Sequence, residues 1–238
     1  MAAILPQSLV SVIVRTMGRP SLSKALDSVA AQTHRPMEIV LVDAAGSGVS
    51  YPAHGGLPVR VVRKGALDRA RAANAGLEAA RGGWVMFLDE DDEIEPTHVA
   101  DLLLTAANAR VPAAYSQTRL MAANGEAERL MGGPFDRLAL FRSNYLAIHA
   151  VLFNRALVTQ GCRFDESLAM FEDWDFWLQV AMRTPLAFSG RPTALYYAGA
   201  GESGAGSGGN LDREAVLAQR EHLMRKWQTA QSALEALG

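Results

Sequence analysis

Trp84-Val85-Met86-Phe87-Leu88-Asp89-Glu90-Asp91-Asp92-Glu93 is the stretch from which the fold of this chain can be read. Five consecutive apolar residues, two of them large aromatics, predict a strand buried on both faces. Five acidic residues follow at once, so the strand delivers carboxylates to one rim of a sheet. Carboxylates that close raise one another's pKa unless a cation or a set of positive donors offsets them. Strand ends in open α/β sheets are also where ligands bind. The same residues fit a solvated acidic turn ahead of a helix with Pro96 at its first position. The flanking chain has to separate the two readings.

On the N-terminal side, Gly65 to Arg81 predicts an Ala-rich helix closed by Gly82-Gly83. Before it lie a short strand at Pro58 to Arg63 and a buried strand at Glu38 to Asp43 that ends in an acid. Leu22, Leu26 and Val29 recur at helical spacing behind Ser21 or Ser23 as the cap. Leu9 to Val14 is the first strand, followed by the loop Arg15-Thr16-Met17-Gly18-Arg19-Pro20. Strand, helix and strand at these spacings make parallel βαβ units with right-handed crossovers. Repeated within the first 110 residues, they describe a nucleotide-binding half, because a parallel sheet gathers helix N-termini at one rim, where phosphate is favoured.

The C-terminal side reads differently. Ala113 to Leu120 is strand-like, and Asn124-Gly125 signals a turn with a hairpin return. Pro134 to Arg142 predicts a short helix, Ile148 to Phe153 a strand, and Asn154 the cap of a helix ending near Gly161. From Phe171 a further helix places Trp174, Trp177, Leu178 and Ala181 on one face. Glu172 and Asp173 fall in its first turn, where the helix dipole favours acids. Residues 199–210 are mostly Gly, Ser and Ala, too little apolar area to offset ordering entropy. They predict a linker, or a loop that closes over a ligand. Leu211 to Leu237 is a last amphipathic helix.

Composition sets the bounds. With 49% hydrophobic and 20% charged residues among 238, the chain can bury a sizeable core. A formal charge of −2 gives no basic field for nucleic acid. One cysteine, Cys162, excludes an internal disulfide and fits a reducing compartment. No stretch reaches the roughly 20 apolar residues that a membrane-spanning helix needs. The expectation is a cytoplasmic protein, with peripheral attachment to the inner face of a membrane left open.

Two acidic clusters carry the chemistry, 89–93 and 172–175. The first suits a hard cation, since Mg²⁺ or Mn²⁺ is held by one or two carboxylates plus substrate phosphates. Within it, Glu90 and Glu93 read as solvated. The second, at a rigid helix start, suits a general base. Together they describe metal-assisted displacement of a phosphorylated leaving group. Arg69 and Arg71 read as solvated helix charges or as phosphate ligands, and His149 as a satisfied core or cleft histidine.

The succession Val10 to Thr16, Ile39 to Asp43, Asn74 to Gly82 and Phe87 to Asp92, followed by Arg163 to Leu168 and Phe171 to Asp175, closely resembles the family 2 inverting glycosyltransferases of the GT-A fold over residues 9–185. The resemblance implies an α/β fold of GT-A type. In it a mostly parallel, Rossmann-like nucleotide-binding sheet (1–110) is fused to a mixed acceptor-side half (111–198), then the 199–210 loop and the 211–238 helix, as one domain. By that resemblance Asp91 and Asp92 match the aspartates that hold the ribose and the divalent metal, Mn²⁺ or Mg²⁺, and Asp43 the acid that reads the base. Thr16, Arg19, Arg71 and Asn74 fall at the nucleotide-sugar pocket. Asp173 matches the catalytic base, with Glu172 beside it. Ala44 stands where the family has a second acid, and Ala73 where it often has Arg. The donor would be a nucleoside diphosphate sugar, a UDP-sugar first, and the acceptor a saccharide or another hydroxyl compound in glycan assembly. A sugar-phosphate nucleotidyltransferase and a non-catalytic binding member of the same fold are the alternatives. The absence of a Gln-x-x-Arg-Trp motif argues against a processive synthase.

Overall fold

The computed structural model describes residues 8–48, 53–122, 126–197 and 212–236. In chain order these form β1 (Val10–Thr16), α1 (Leu22–Ala30), β2 (Met37–Asp43), β3 (Ala53–His54), β4 (Leu57–Arg63), α2 (Arg69–Ala79), β5 (Trp84–Asp89), β6 (Glu93–Ile94) and α3 (His98–Ala109). There follow β7 (Ala113–Met121), β8 (Ala127–Met131), α4 (Arg137–Arg142), a 3-10 turn (Ile148–Ala150), β9 (Val151–Asn154), α5 (Ala156–Thr159), α6 (Glu172–Arg183), β10 (Ala187–Tyr197) and α7 (Arg213–Glu235). The Asn124-Gly125 turn and the 199–210 segment lie outside the described residues.

The strands join one sheet in the order β3-β4-β2-β1-β5-β9-β7-β10-β6, with β8 added on β7. β4, β2, β1 and β5 run parallel, as the βαβ spacing predicts. β9 turns the sheet antiparallel against both β5 and β7, and β10 lies parallel to β7. The fold is therefore α/β with a mostly parallel half and a mixed half.

Alternation along the strands divides the core. Val10, Val12 and Val14 of β1, with Met86 and Leu88 of β5, face α1 and α3. Ile13, Val85 and Phe87 face the opposite layer, built on α2, α4, α6 and α7. There Phe87 meets Phe164 edge-on at 5.2 Å, and Phe164 stacks on Phe176 at 4.4 Å. Trp174 and Trp177 are buried in the same layer, so the Trp face of α6 packs as the helical spacing predicts. α7 is fastened to α6 by Lys226 and Trp227, whose Nζ and Nε1 lie 2.9 and 2.8 Å from Asp175 Oδ1. No helix among the described residues is long and apolar enough to cross a membrane.

Several expectations need correction. Pro96 does not start a helix; Glu93–Ile94 first pairs antiparallel with β10, and α3 begins at His98. β10 was not foreseen, because Gly190-Arg191-Pro192 interrupts it. The strand accommodates them with register shifts and a left-handed Gly190, φ +70°. Ser21 makes no side-chain cap, and Ser23 donates to Pro20 O instead. Only the end of the predicted 148–153 strand is extended; its first part is the 3-10 turn.

α2 is also shorter than expected. Asp68 caps it by accepting from Arg71 N at 2.8 Å, and it ends through an extended Ala80 rather than a left-handed glycine. The glycines serve close approach. A Cβ at Gly82 would stand 2.6 Å from Ser11 N and 2.7 Å from Leu9 O, and one at Gly76 would stand 2.3 Å from the Ile13 Cγ2 methyl. Replacing Gly76 by Ala should therefore destabilise the chain by about 1–3 kcal/mol through overpacking, despite the helix-propensity gain of about 1 kcal/mol. Urea unfolding checks this: the midpoint should fall, and a raised midpoint would show that α2 can draw back from β1 at no cost.

Candidate active site

Parallel register brings the ends of β1, β2 and β5 to one rim: Arg15 pairs with Val42 on one side and Asp89 on the other, and Thr16 with Asp43. Beside that rim opens a cleft of about 540 Å³, within the range of small-molecule sites. Its walls come from the β1 and β5 ends, α2, the β7–β8 pair, the 144–149 segment and the start of α6. Among the described residues six carboxylates (Asp89, Glu90, Asp91, Asp92, Glu172 and Asp173) line it against four arginines (Arg15, Arg19, Arg69 and Arg129), an excess of negative charge that favours a cation.

The acids of the first cluster have different partners. Asp89 is held by Arg15, whose Nε and Nη2 donate to its two oxygens at 2.7 and 2.8 Å. Burial works against the Asp89 charge, but Arg15 outweighs it and keeps the carboxyl below its usual range. Glu90, expected to be solvated, is buried. It accepts from Met17 N at 2.9 Å, Arg19 N at 3.0 Å, Arg19 Nη1 at 3.1 Å and Thr16 Oγ1 at 2.5 Å. The carboxylate thus organises the loop after β1, which puts Thr16 and Arg19 on the cleft wall.

Asp92 is buried, accepting from Tyr197 N at 3.1 Å, with His149 Nδ1 3.1 Å from its other oxygen at ion-pair distance but not aligned as a hydrogen bond. His149 stacks near-parallel on Tyr196 at 6.1 Å. Burial lowers the His149 pKa and Asp92, aided by Asp89 and Asp91, more than reverses it. Asp91 is half-buried, and burial together with Asp89 and Asp92 lifts its pKa to about 6. That lift marks a carboxylate short of positive charge. Among the described residues no group of three His, Cys, Asp or Glu could cage a metal. Asp91 and Asp92 fit the kind of site in which one or two carboxylates share a hard cation with phosphate and water.

The second cluster starts α6. Phe171, just before it, takes a left-handed backbone at φ +64°, costly for a bulky residue. It packs edge-on against Trp174 at 5.8 Å. Glu172 is buried, with Oε1 3.5 Å from Arg15 Nη1 and 4.0 Å from Arg69 Nη1, and with Oε2 unpartnered. Asp173 is half-buried, accepting from Asn144 Nδ2 at 3.2 Å and from Trp174 N at 2.7 Å. Burial and then the Glu172 charge lift its pKa to about 7, against the pull of Arg15 and Arg69.

Three expected binding residues stand elsewhere. Asp43 is fully buried at the end of β2 and turned into its own loop, accepting from Ser47 N at 2.9 Å and Gly48 N at 2.7 Å. Asn74 faces away from the cleft and clamps Phe164, donating to its carbonyl and accepting from its N–H, both at 3.0 Å. Arg71 is exposed and pairs with Asp68 and Glu166, while Arg69, two residues earlier on the same helix, reaches the cleft. An arginine beside Asn74 was legible; which of the two faces inward depends on where α2 begins. Arg15, Asn144, His149, Arg129 and the Tyr196–Tyr197 pair complete the lining. A buried basic residue at a strand end was a usable signal for Arg15, and nothing local marks Asn144 or Arg129.

Residues 11–120 match the family model described as Glycosyl transferase family 2. The chain is 29% identical over 231 residues to the succinoglycan biosynthesis protein ExoO of Rhizobium meliloti (strain 1021), covering 87% of this chain and 65% of that protein. It is 27% identical to the uncharacterized glycosyltransferase YwdF of Bacillus subtilis (strain 168), covering 72% and 68%. Among solved structures, S. aureus TarS 1-349 in complex with UDP-GlcNAc aligns with a TM-score of 0.67 at 19% identity, covering 81% of this chain and 59% of that one. The UDP complex of the same protein aligns with a TM-score of 0.62 at 20% identity, covering 79% and 60%. Over the matched segment the chain is similar to the family 2 glycosyltransferases, and its sheet and the aligned structures give it the GT-A fold.

Proposed function

We propose that the chain is an inverting, metal-dependent glycosyltransferase that moves a sugar from a nucleoside diphosphate sugar to an acceptor hydroxyl. The observation that carries this reading is the meeting of two acid pairs in one cleft, Asp91-Asp92 from the end of β5 and Glu172-Asp173 from the start of α6. A UDP-sugar is the first candidate donor, since the TarS structures of the same fold hold UDP and UDP-GlcNAc. Relatives named for succinoglycan and O-antigen biosynthesis point to glycan assembly as the setting.

In this reading Asp91 and Asp92 would hold Mn²⁺ or Mg²⁺, which when bound offsets charge on the departing diphosphate. Thr16 and Arg19, fixed by Glu90, line the nucleotide side, and Arg69 faces the cleft from α2. Asp173 takes the proton of the acceptor hydroxyl as that oxygen attacks the anomeric carbon opposite the leaving diphosphate. A carboxyl whose pKa sits near 7 is well matched to a general base at neutral pH. Asn144 holds one of its oxygens and Trp174 N the other, so the carboxylate is fixed in orientation.

Incubation with a panel of nucleotide sugars and Mn²⁺ should release a nucleoside diphosphate from at least one of them. Release from none would remove the reading, and pyrophosphate release from a nucleoside triphosphate plus a sugar 1-phosphate would replace it with nucleotidyl transfer.

Asp173→Asn should leave nucleotide binding within about threefold and lower turnover by 10²- to 10⁴-fold, on the order expected for a lost general base. Unchanged turnover would take the proton-accepting role away from Asp173. The base works only when ionised, so kcat/KM should rise with pH through about 7 and then level. A profile flat from pH 5 to 8 would contradict this assignment. Asp92→Ala should abolish the Mn²⁺-dependent gain in nucleotide affinity, measured by calorimetry with and without the metal; an unaltered gain would place the metal elsewhere.

A further inference from the structure

Arg15 touches both acid clusters. The planar fork of its guanidinium is used on every side: Nε and Nη2 hold both oxygens of Asp89 at 2.7 and 2.8 Å, and Nη1 donates to Arg69 O at 3.3 Å and lies 3.5 Å from Glu172 Oε1. Three elements therefore converge on one cation, β5 through Asp89, α2 through the Arg69 carbonyl and α6 through Glu172. Arg15 is 8% exposed and Glu172 2%. A cation at that depth is tolerated only when its charge and donors are matched. Lysine has no planar fork to hold Asp89 bidentately while reaching Glu172.

We propose that Arg15 is a positioning residue for the transfer, locking the base-bearing start of α6 to the end of β5 and leaving Glu172 Oε2 to accept a hydrogen bond from a substrate hydroxyl. The inference rests on the reading of Asp173 as the base. Glu172 is among the residues that line the cleft; its Oε1 faces Arg15 and Arg69, whereas its Oε2 is buried and has no partner. A buried carboxylate oxygen left unsatisfied is costly, so a substrate donor that reaches it gains both the bond and that relief. A sugar hydroxyl is the donor chemistry that the proposed reaction brings there. The left-handed Phe171 agrees with α6 being held in place: its backbone persists because the packing on either side over-determines it.

The charged groups that face Asp173 are Glu172 on its own helix, Arg15 from β1 and Arg69 from α2. The 144–149 segment adds the Asn144 amide, β8 contributes Arg129 to the cleft and α7 contributes Val216. Removing the Arg15 charge thus leaves Arg69 as the remaining cation close to the Glu172-Asp173 pair.

The test uses the full chain and whichever nucleotide sugar gives turnover in the panel, with release of the nucleotide as the assay. The paired change Arg15→Met with Asp89→Asn removes two buried charges together, so neither is orphaned. It should keep the urea midpoint and nucleotide affinity close to those of the parent, lower kcat by about 100-fold as expected for a misplaced catalytic group, and move the acidic limb of the pH profile upward. Arg15→Lys keeps a cation without the fork. It should lower kcat while leaving the limb where it was, and it decides the matter if the paired variant does not fold. Glu172→Gln removes the like charge beside Asp173 and should move the limb downward, with KM for the donor or acceptor raised. Parental kcat and an unmoved limb in both Arg15 variants would overturn the inference while leaving glycosyl transfer intact. Losses of stability and turnover together, with no limb shift in the paired variant, would reduce Arg15 to a structural residue. Absence of turnover in the parent chain would overturn the transfer reading and this inference with it.

Discussion

One buried guanidinium stands between the acids at the end of β5 and the acids at the start of α6, and the geometry of the cleft depends on it. Asp89, Asp91 and Asp92 leave one strand within four residues, and Glu172 with Asp173 line the same cleft from the start of α6. Brought together in a poorly solvated space, such charges would push one another toward the neutral form. Arg15 matches Asp89 completely and Glu172 in part, which leaves two carboxyls lifted above their usual range, Asp91 and Asp173. Both have work in the proposed mechanism, Asp91 together with Asp92 on the leaving-group side and Asp173 on the acceptor side. Two other acids are taken up by structure: Glu90 binds the loop after β1, and Asp175 holds α7.

The fold explains how these groups come within reach. Four parallel strands end at one rim, and in-register pairing of β1 with β5 sets Arg15 beside Asp89 without any loop to adjust. β9 and the 3-10 turn bring His149 under Asp92, while the Trp174–Trp177 face anchors α6 in the same aromatic layer as Phe87 of β5. The acid-bearing strand and the acid-bearing helix therefore share one core. Packing that fixes one fixes the other, which is how an active site can rest on the precise placement of α6.

Much of this is legible in the amino-acid sequence. Trp84 to Leu88 declared a central strand because an uninterrupted apolar run before a charge cluster has few other physical uses. The two acidic clusters were legible from their place at element ends, and the family resemblance singled out Asp91, Asp92 and Asp173 within them. What the letters could not show was how individual polar groups are spent. Asp43, Asn74 and Glu90 are residue types suited to ligands, yet each satisfies backbone groups of a neighbouring segment. Those partners lie far apart in the chain for Asn74 and Glu90, so local pattern gives no sign of them. Arg69 rather than Arg71 reaches the cleft, with the helix beginning at Arg69, four residues after the predicted start. β10 escaped notice because a glycine and a proline sit within it, and only the finished sheet shows a bulged strand passing through.

In the proposed mechanism the diphosphate held at Asp91-Asp92 and the base Asp173 lie on opposite sides of the anomeric carbon, so the nucleophile would approach from the side opposite the diphosphate. Proton NMR of the sugar first released from an α-linked nucleotide sugar, recorded before mutarotation and with water as acceptor, reads that geometry without knowledge of the natural acceptor. The account predicts the β-anomer as the initial product. An initial α-anomer would contradict it.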